Sequence, residues 1–99
     1  MELSAFQRRI EEIYFKKDNA RGAERTFLWF AEEVGELAEA LRRGDEAMLR
    51  EEFADVLAWL STLASMKGID LEAAVEEKYG DGCPKCRAIP CNCAEPNPT

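Results

Sequence analysis

Acidic residues recur at helical spacing in two apolar segments of the sequence. Glu33 and Glu36 lie within FLWFAEEVGELAEAL, and Glu52 and Asp55 lie within EEFADVLAWL. The members of each pair are three positions apart, so a helix would present both carboxylates on one side. Four carboxylates in a partly dry cleft cannot all stay ionised without cations. Oxygen ligands suit hard ions, so the pattern predicts a site for two Mg²⁺ or Mn²⁺ ions.

The alternative is that these acids are ordinary solvated charges, which is the usual state of charged residues on helices. A helical projection separates them from the obvious solvent side of the second helix, which carries Glu32 and Glu39 together with arginines. Each acid pair also lies beside a tryptophan, Trp29 in the first segment and Trp59 in the second. This repeated arrangement favours the metal site over surface charge.

Apolar spacing predicts four helices and no strand, an all-α fold. The first helix follows a Ser4-x-x-Gln7 capping box and ends near residue 17, before a loop KKDNARG. The second runs from about residue 23 to 43 and stops at Gly44, and the third is capped by Asp45 and ends near residue 67. Asp70 caps a short fourth helix that ends near residue 80. Because the turn between the second and third helices is short, they should pack antiparallel with their acid pairs facing each other.

Each long helix carries one stripe of large apolar residues, which predicts the core. The stripes are Phe27, Phe30, Val34, Leu37 and Leu41 in the second helix, and Leu49, Phe53, Val56, Leu60 and Leu63 in the third. A second stripe of the second helix, Leu28, Ala31, Gly35 and Ala38, is suited to close helix packing. A chain of 99 residues buries a modest core, so oligomerisation, a structural metal or both are expected to add stability.

Composition excludes several classes of function. The net charge of −7 argues against a nucleic-acid polymer or an anionic membrane as partner. Histidine is absent, which removes Ser-His and Cys-His catalytic pairs and imidazole metal ligands. The sequence has no long apolar run and no signal-peptide pattern, so a cytoplasmic location is expected.

The four cysteines of the chain lie close together near its C-terminus, in CPKCRAIPCNC. Cys83, Cys86, Cys91 and Cys93 form a C-x₂-C-x₄-C-x-C pattern, and the prolines between them favour turns. Four thiolates that can converge predict a structural Zn²⁺ site. Disulfides or redox thiols and an iron–sulfur cluster are the alternatives. The expected division of the chain is a helical domain over residues 1–80, a metal-binding tail over 81–93 and a disordered C-terminus over 94–99.

The combined motif Glu32-Glu33-x-x-Glu36, then 15 residues, then Glu52-x-x-Asp55 resembles the signature of the MazG-like family. That family belongs to the all-α nucleoside triphosphate pyrophosphohydrolases and has relatives among dimeric dUTPases and phosphoribosyl-ATP pyrophosphohydrolases. The resemblance covers about residues 6–79, where the segments YFKKDNARG and GIDLEAAVEEKYG also resemble a short, single-domain member of the family. The two halves of the motif are specific together and weak alone.

The resemblance implies Mg²⁺-dependent cleavage of a nucleoside triphosphate between the α and β phosphates, giving a nucleoside monophosphate and pyrophosphate. It implies that Glu33, Glu36, Glu52 and Asp55 bind the metal. Glu32 matches the first glutamate of the motif and could orient water or metal, and a solvated or intersubunit glutamate is the alternative. The resemblance also implies that short helical hairpins assemble into a four-helix-bundle-type homo-oligomer, either a dimer or a pair of dimers. Related substrates such as dUTP, phosphoribosyl-ATP or a dinucleoside compound are alternatives, and so is a helical interaction module without enzymatic activity.

Substrate-binding candidates are cationic or aromatic residues near the acid pairs. The cations are Lys16, Lys17, Arg21 and Lys78, at least one of which is expected to contact phosphate, although a solvated loop would also account for them. Trp29 and Trp59 could stack on a nucleobase, and plain core or interface packing is the alternative for both.

Overall fold

The computed structural model describes residues 1–94, and in that part of the chain it contains four α-helices and no strand. The helices are α1 (Leu3–Arg21), α2 (Ala23–Arg43), α3 (Glu46–Met66) and α4 (Leu71–Tyr79). The all-α prediction is therefore confirmed. The predicted disorder at the C-terminus concerns mainly residues 95–99, which lie outside the described residues. None of the described helices combines the length and the apolar character needed to cross a membrane.

The boundaries of α2, α3 and α4 follow local signals, as predicted. Asp45 caps α3 by accepting the backbone N–H of Met48 at 3.2 Å, and Asp70 caps α4 by accepting the N–H of Glu72 at 3.0 Å. Gly44 ends α2 with φ 71°, a left-handed conformation that glycine adopts without steric cost. These caps set the length of the α2–α3 hairpin that carries the acidic residues.

The predicted loop between the first two helices is wrong. Helix α1 continues through KKDNA to Arg21, and only Gly22, with φ 83°, separates it from α2. Asp and Asn are weak helix formers, but tertiary contacts override such preferences. Here the Asp18 carboxylate is buried and accepts hydrogen bonds from Arg21 and from Thr62 of α3. The extra helical turn places Arg21 against the hairpin, where its guanidinium contacts Thr26 and Trp59.

The predicted capping box at the start of α1 is also wrong. The helix begins at Leu3 with no side-chain cap, and Ser4 lies inside it. The Gln7 side chain is buried and bonds the turn between α3 and α4 instead. Its amide oxygen accepts the N–H of Leu71 at 2.8 Å, and its amide nitrogen donates to the carbonyl of Ile69 at 2.7 Å. These bonds fasten α1 to the far end of the hairpin.

Buried and half-buried residues recur at steps of three and four along both helices of the α2–α3 hairpin, whose helices make the most extensive contact in the fold. They are Thr26, Phe30, Glu33, Leu37 and Ala40 in α2, and Leu49, Glu52, Val56, Trp59 and Leu63 in α3. One glutamate of each pair thus lies on the buried line itself rather than on its flank.

Several residues of the predicted core stripe are exposed in the single chain. Phe27, Leu41 and Phe53 expose between 56% and 58% of their surface, and Leu28 of the small-residue stripe exposes 67%. The prediction of a core built from these residues is therefore wrong for one chain by itself. Burial of a large apolar side chain stabilises a fold by about 1.5–3 kcal/mol. Covering these exposed side chains with another protein surface would therefore be favourable.

Candidate functional site

Three carboxylates from the two helices of the hairpin converge. Carboxyl oxygens of Glu33, Glu36 and Glu52 lie within 4.8 Å of one another. Glu33 and Glu52 are half-buried, and each has one carboxyl oxygen that is buried without a hydrogen-bond partner. Buried polar atoms normally find a partner, so these two oxygens are suited to a cation that the protein atoms alone do not provide.

Electrostatics of the cluster are unfavourable in the absence of a cation. The pKa of Glu33 is raised from 4.5 to about 7, first by burial, then by hydrogen bonding with Glu52 and Glu36, and then by the charges of Glu36 and Asp55. Near neutral pH this carboxyl group is therefore divided between its acid and its ionised form. A divalent cation would replace the proton and stabilise the ionised form.

The structure separates the remaining two acids of the predicted site. Asp55 is outside the group of three, but its charge acts on Glu33 and its side chain lines the neighbouring cavity. Glu32 is exposed, consistent with its position on the outer side of the helical projection. The hairpin thus gathers a half-buried centre with Asp55 at its edge.

A cavity of about 250 Å³ adjoins this centre between α1 and α3. It combines aromatic, cationic and acidic groups with a small apolar patch. Its lining residues are Ile10, Tyr14, Lys17, Asp18, Arg21, Asp55, Ala58, Trp59 and Thr62. Asp55 lines the cavity and its charge acts on Glu33, so it is the residue that connects the cavity with the carboxylate centre.

The two tryptophans predicted beside the acid pairs contact each other. The rings of Trp29 and Trp59 are nearly parallel, at 16°, with centroids 6.4 Å apart. The Arg21 guanidinium lies over Trp59 at 4.8 Å from its ring centroid, a cation–π arrangement. Of the two rings only Trp59 lines the cavity.

Asp18 is a site residue that the sequence reasoning missed. Its carboxylate accepts a hydrogen bond from Arg21 Nη1 at 3.0 Å and one from Thr62 Oγ1 at 3.3 Å. Arg21 Nη1 also donates to Thr26 Oγ1 at 3.1 Å. The ion pair is largely buried, so it holds the guanidinium in one place over Trp59. The signal was hidden because Asp18 fell within the segment predicted to be a loop, although its i, i+3 spacing to Arg21 was visible.

The predicted cations divide into two groups. Lys17 and Arg21 line the cavity. Lys16 is exposed, and the Lys78 amino group lies 5.4 Å from the ring centroid of Tyr79 beside the cysteine tail. Neither Lys16 nor Lys78 is among the residues that line the cavity.

The four cysteine sulfurs of the tail also converge, within 4.8 Å of one another. This second cluster lies against a separate cavity lined by Lys78, Tyr79 and tail residues 82–85 and 88–91, which shares no residue with the first cavity.

The family model of the MazG nucleotide pyrophosphohydrolase domain matches residues 21–86, two thirds of the chain. The matched segment contains all four acids of the predicted metal site and the first two cysteines of the tail. It begins at Arg21, so most of α1 precedes it. A search of curated proteins found no match.

Proposed function

Because the chain belongs to the MazG nucleotide pyrophosphohydrolase family, we propose that it hydrolyses a nucleoside triphosphate between the α and β phosphates. A water oxygen forms a bond to the α phosphorus as the bond from that phosphorus to the bridging oxygen breaks. The products are a nucleoside monophosphate and pyrophosphate. The observation that carries the proposal is the convergence of half-buried Glu33 and Glu52 with exposed Glu36, beside a cavity with cationic and aromatic walls.

The donor set fits Mg²⁺ or Mn²⁺. All of its atoms are carboxylate oxygens, and one buried oxygen each of Glu33 and Glu52 has no protein partner. Glu33, Glu36, Glu52 and Asp55 would hold the ions. The chemistry that divalent ions supply there is polarisation of phosphoryl oxygens and a lower pKa for a bound water.

The remaining acid has a different proposed role. Glu32 is exposed next to the centre in sequence and is not one of the three converging carboxylates. It would therefore be available to orient the attacking water and accept its proton, as a general base does.

The cavity is the proposed place of the nucleotide. Trp59 is the tryptophan of the cavity wall that would contact the base, next to the Arg21 guanidinium over its ring, and Lys17 and Arg21 offer positive charge for the phosphates. Two functions compete for Arg21, because its guanidinium already lies over Trp59. Asp18 and Thr26 hold this guanidinium in place. Arg21 would therefore act as a fixed positive charge in the part of the cavity wall that α1 forms.

A homo-oligomer, either a dimer or a tetramer, is the proposed assembly. The support for it is the exposed apolar surface of the hairpin, including Phe27, Leu41 and Phe53, which a second copy of the same hairpin would cover in a four-helix arrangement. Lys16 and Lys78, which do not line the chain's own cavity, would contact phosphate only if such packing brought them to a partner's site. Sedimentation at several concentrations tests the assembly, and a monomer throughout would contradict it.

Pyrophosphate release from a panel of substrates tests the activity. The panel holds canonical and deoxy triphosphates, including dUTP, and phosphoribosyl-ATP, each with Mg²⁺. Release of pyrophosphate from at least one substrate, abolished by Glu36→Gln, is the expected result. If no substrate is turned over and calorimetry detects no Mg²⁺ or Mn²⁺ binding, the chain is a helical interaction module instead.

A further inference from the structure

We infer that the tail binds one Zn²⁺ through Cys83, Cys86, Cys91 and Cys93. The measured separations are 3.7 Å between the sulfurs of Cys83 and Cys93, 3.9 Å between those of Cys86 and Cys91, and 3.6 Å between those of Cys91 and Cys83. A tetrahedral site with zinc–sulfur bonds of about 2.3 Å has sulfur–sulfur edges of about 3.8 Å. Three of the six sulfur–sulfur edges therefore match this length, and all four sulfurs lie within 4.8 Å of one another.

The same distances disfavour the other chemistries of four cysteines. A disulfide needs its two sulfurs at about 2.05 Å, far closer than any of the three measured pairs. In an iron–sulfur cluster the thiolates bind different iron atoms, so four sulfurs that all fit around a single atom are not its arrangement. Thiolates are soft ligands, which also excludes the hard ions proposed for the carboxylate centre.

Two of the sulfurs accept hydrogen bonds from backbone N–H groups. The backbone N–H of Asn92 donates to Cys86 Sγ at 3.3 Å, and the N–H of Cys93 donates to Cys91 Sγ at 3.3 Å. Such bonds stabilise negative charge on sulfur and orient it, which is the usual role of groups around a metal's ligands. The turn is closed by a bond from the N–H of Cys83 to the carbonyl of Ala88 at 3.1 Å.

One residue of this turn adopts a conformation that costs free energy. Arg87 has φ 62°, the left-handed region that residues other than glycine rarely adopt, and its side chain bonds Asp81 at 3.0 Å. A conformation of this kind persists only where the surrounding structure determines it. Four bonds from one ion to the residues on either side of Arg87 would do so.

The tail has no apolar core that could hold it in place of a metal. Cys86 and Cys91 are exposed, and Ile89, the largest apolar residue between them, exposes 83% of its surface. In short segments of this kind the free energy of metal binding is the free energy of folding. Four thiolates leave zinc no open position, so the ion is structural rather than catalytic.

Metal analysis of the intact protein tests the inference. The protein purified in zinc-containing buffer should carry one zinc per chain, and replacement by Co²⁺ should give the intense visible bands of tetrahedral cobalt–thiolate coordination. Cys86→Ser and Cys91→Ser should lose the zinc and the bands. Glu36→Gln, which alters only the carboxylate centre, should retain both.

Three results would overturn the inference. They are cobalt bands that are absent or octahedral in the unaltered protein, bound iron in place of zinc, and thiols that cannot be titrated in denaturant without a reductant, as disulfides would require. The cobalt spectrum is recorded on the unaltered chain, so it decides the question even if a serine variant fails to fold. No part of the test depends on hydrolysis, so its failure would leave the proposed activity standing.

Discussion

The α2–α3 hairpin and the cysteine tail both gather side chains that can bind a metal, carboxyl groups in one and thiols in the other, but their scaffolds differ. The hairpin draws its carboxylates from two helices of 21 residues each, which are held by their own hydrogen bonds and by their contact with each other. The tail draws its four thiolates from 11 residues with an exposed surface. Carboxylates on a scaffold held by helix packing can bind an ion that keeps open positions and is therefore reactive, whereas the zinc site proposed for the tail would need all four ligands for the fold of the tail.

The largest expected effect is at the carboxylate centre. We expect the rate of pyrophosphate release to fall by more than about 100-fold in each of four variants, Glu33→Gln, Glu36→Gln, Glu52→Gln and Asp55→Asn. Loss of a residue that only orients a metal ligand costs about 10- to 100-fold in activity, and loss of the ligand itself should cost more. The helices should remain, as measured by circular dichroism. Glu51→Gln, an exposed neighbour of Glu52, is the matched control and should retain activity. A fully active variant at any of the four positions would remove that residue from the site.

A smaller effect is expected at the wall of the cavity. Asp18→Asn keeps the shape of the side chain but removes the charge that holds Arg21. We expect KM for the triphosphate to rise about tenfold, a loss of about 1.4 kcal/mol, with a much smaller change in kcat. Steady-state kinetics with saturating Mg²⁺ would show this division. An equal loss in kcat with unchanged KM would instead place Asp18 at the reacting atoms.

The tail should respond in the opposite way to the hairpin. Cys83→Ser, or a zinc-selective chelator with Mg²⁺ in excess, should lower the melting temperature by about 4–8 °C for each kcal/mol of stability lost. Turnover measured well below the melting transition should change little, because the closed thiolate site has no position for substrate. Scanning calorimetry beside the pyrophosphate assay checks both. Loss of turnover at unchanged melting temperature would make the tail part of the active site.

The smallest effect is a pH dependence of stability in the metal-free protein. Since the pKa of Glu33 is raised from 4.5 to about 7, the folded chain binds this proton more tightly than the unfolded chain does. Its contribution to stability is therefore present below about pH 4.5 and is lost as pH rises toward 7. Urea unfolding at several pH values should show the decline, and Glu33→Gln should reduce it. Added Mg²⁺ should restore stability at pH 7 and above, and a slope of opposite sign would contradict the assignment.

Much of the fold was accessible from local signals in the sequence. Asp45 and Asp70 cap helices because a side-chain oxygen reaches an N–H two or three residues ahead, wherever the helix lies in the fold. Gly44 ends α2 for an equally local reason. The spacing of three residues within each acid pair and the short spacing of the cysteines are likewise properties of the chain itself.

Interactions between distant segments decided the rest. Helix α1 extends to Arg21 because the Asp18 side chain accepts a hydrogen bond from Thr62, which is 44 positions away. Gln7 likewise bonds the α3–α4 turn rather than the end of its own helix. The rotation of α2 against α3 determined that Glu33 and Glu52 are half-buried and that Phe27 and Phe53 are exposed. The sequence by itself determined which side chains share a helix face, because the helical repeat is fixed by the backbone. Only the tertiary structure decided which face meets which, because burial and the pKa of a carboxyl group depend on neighbours that the repeat does not specify.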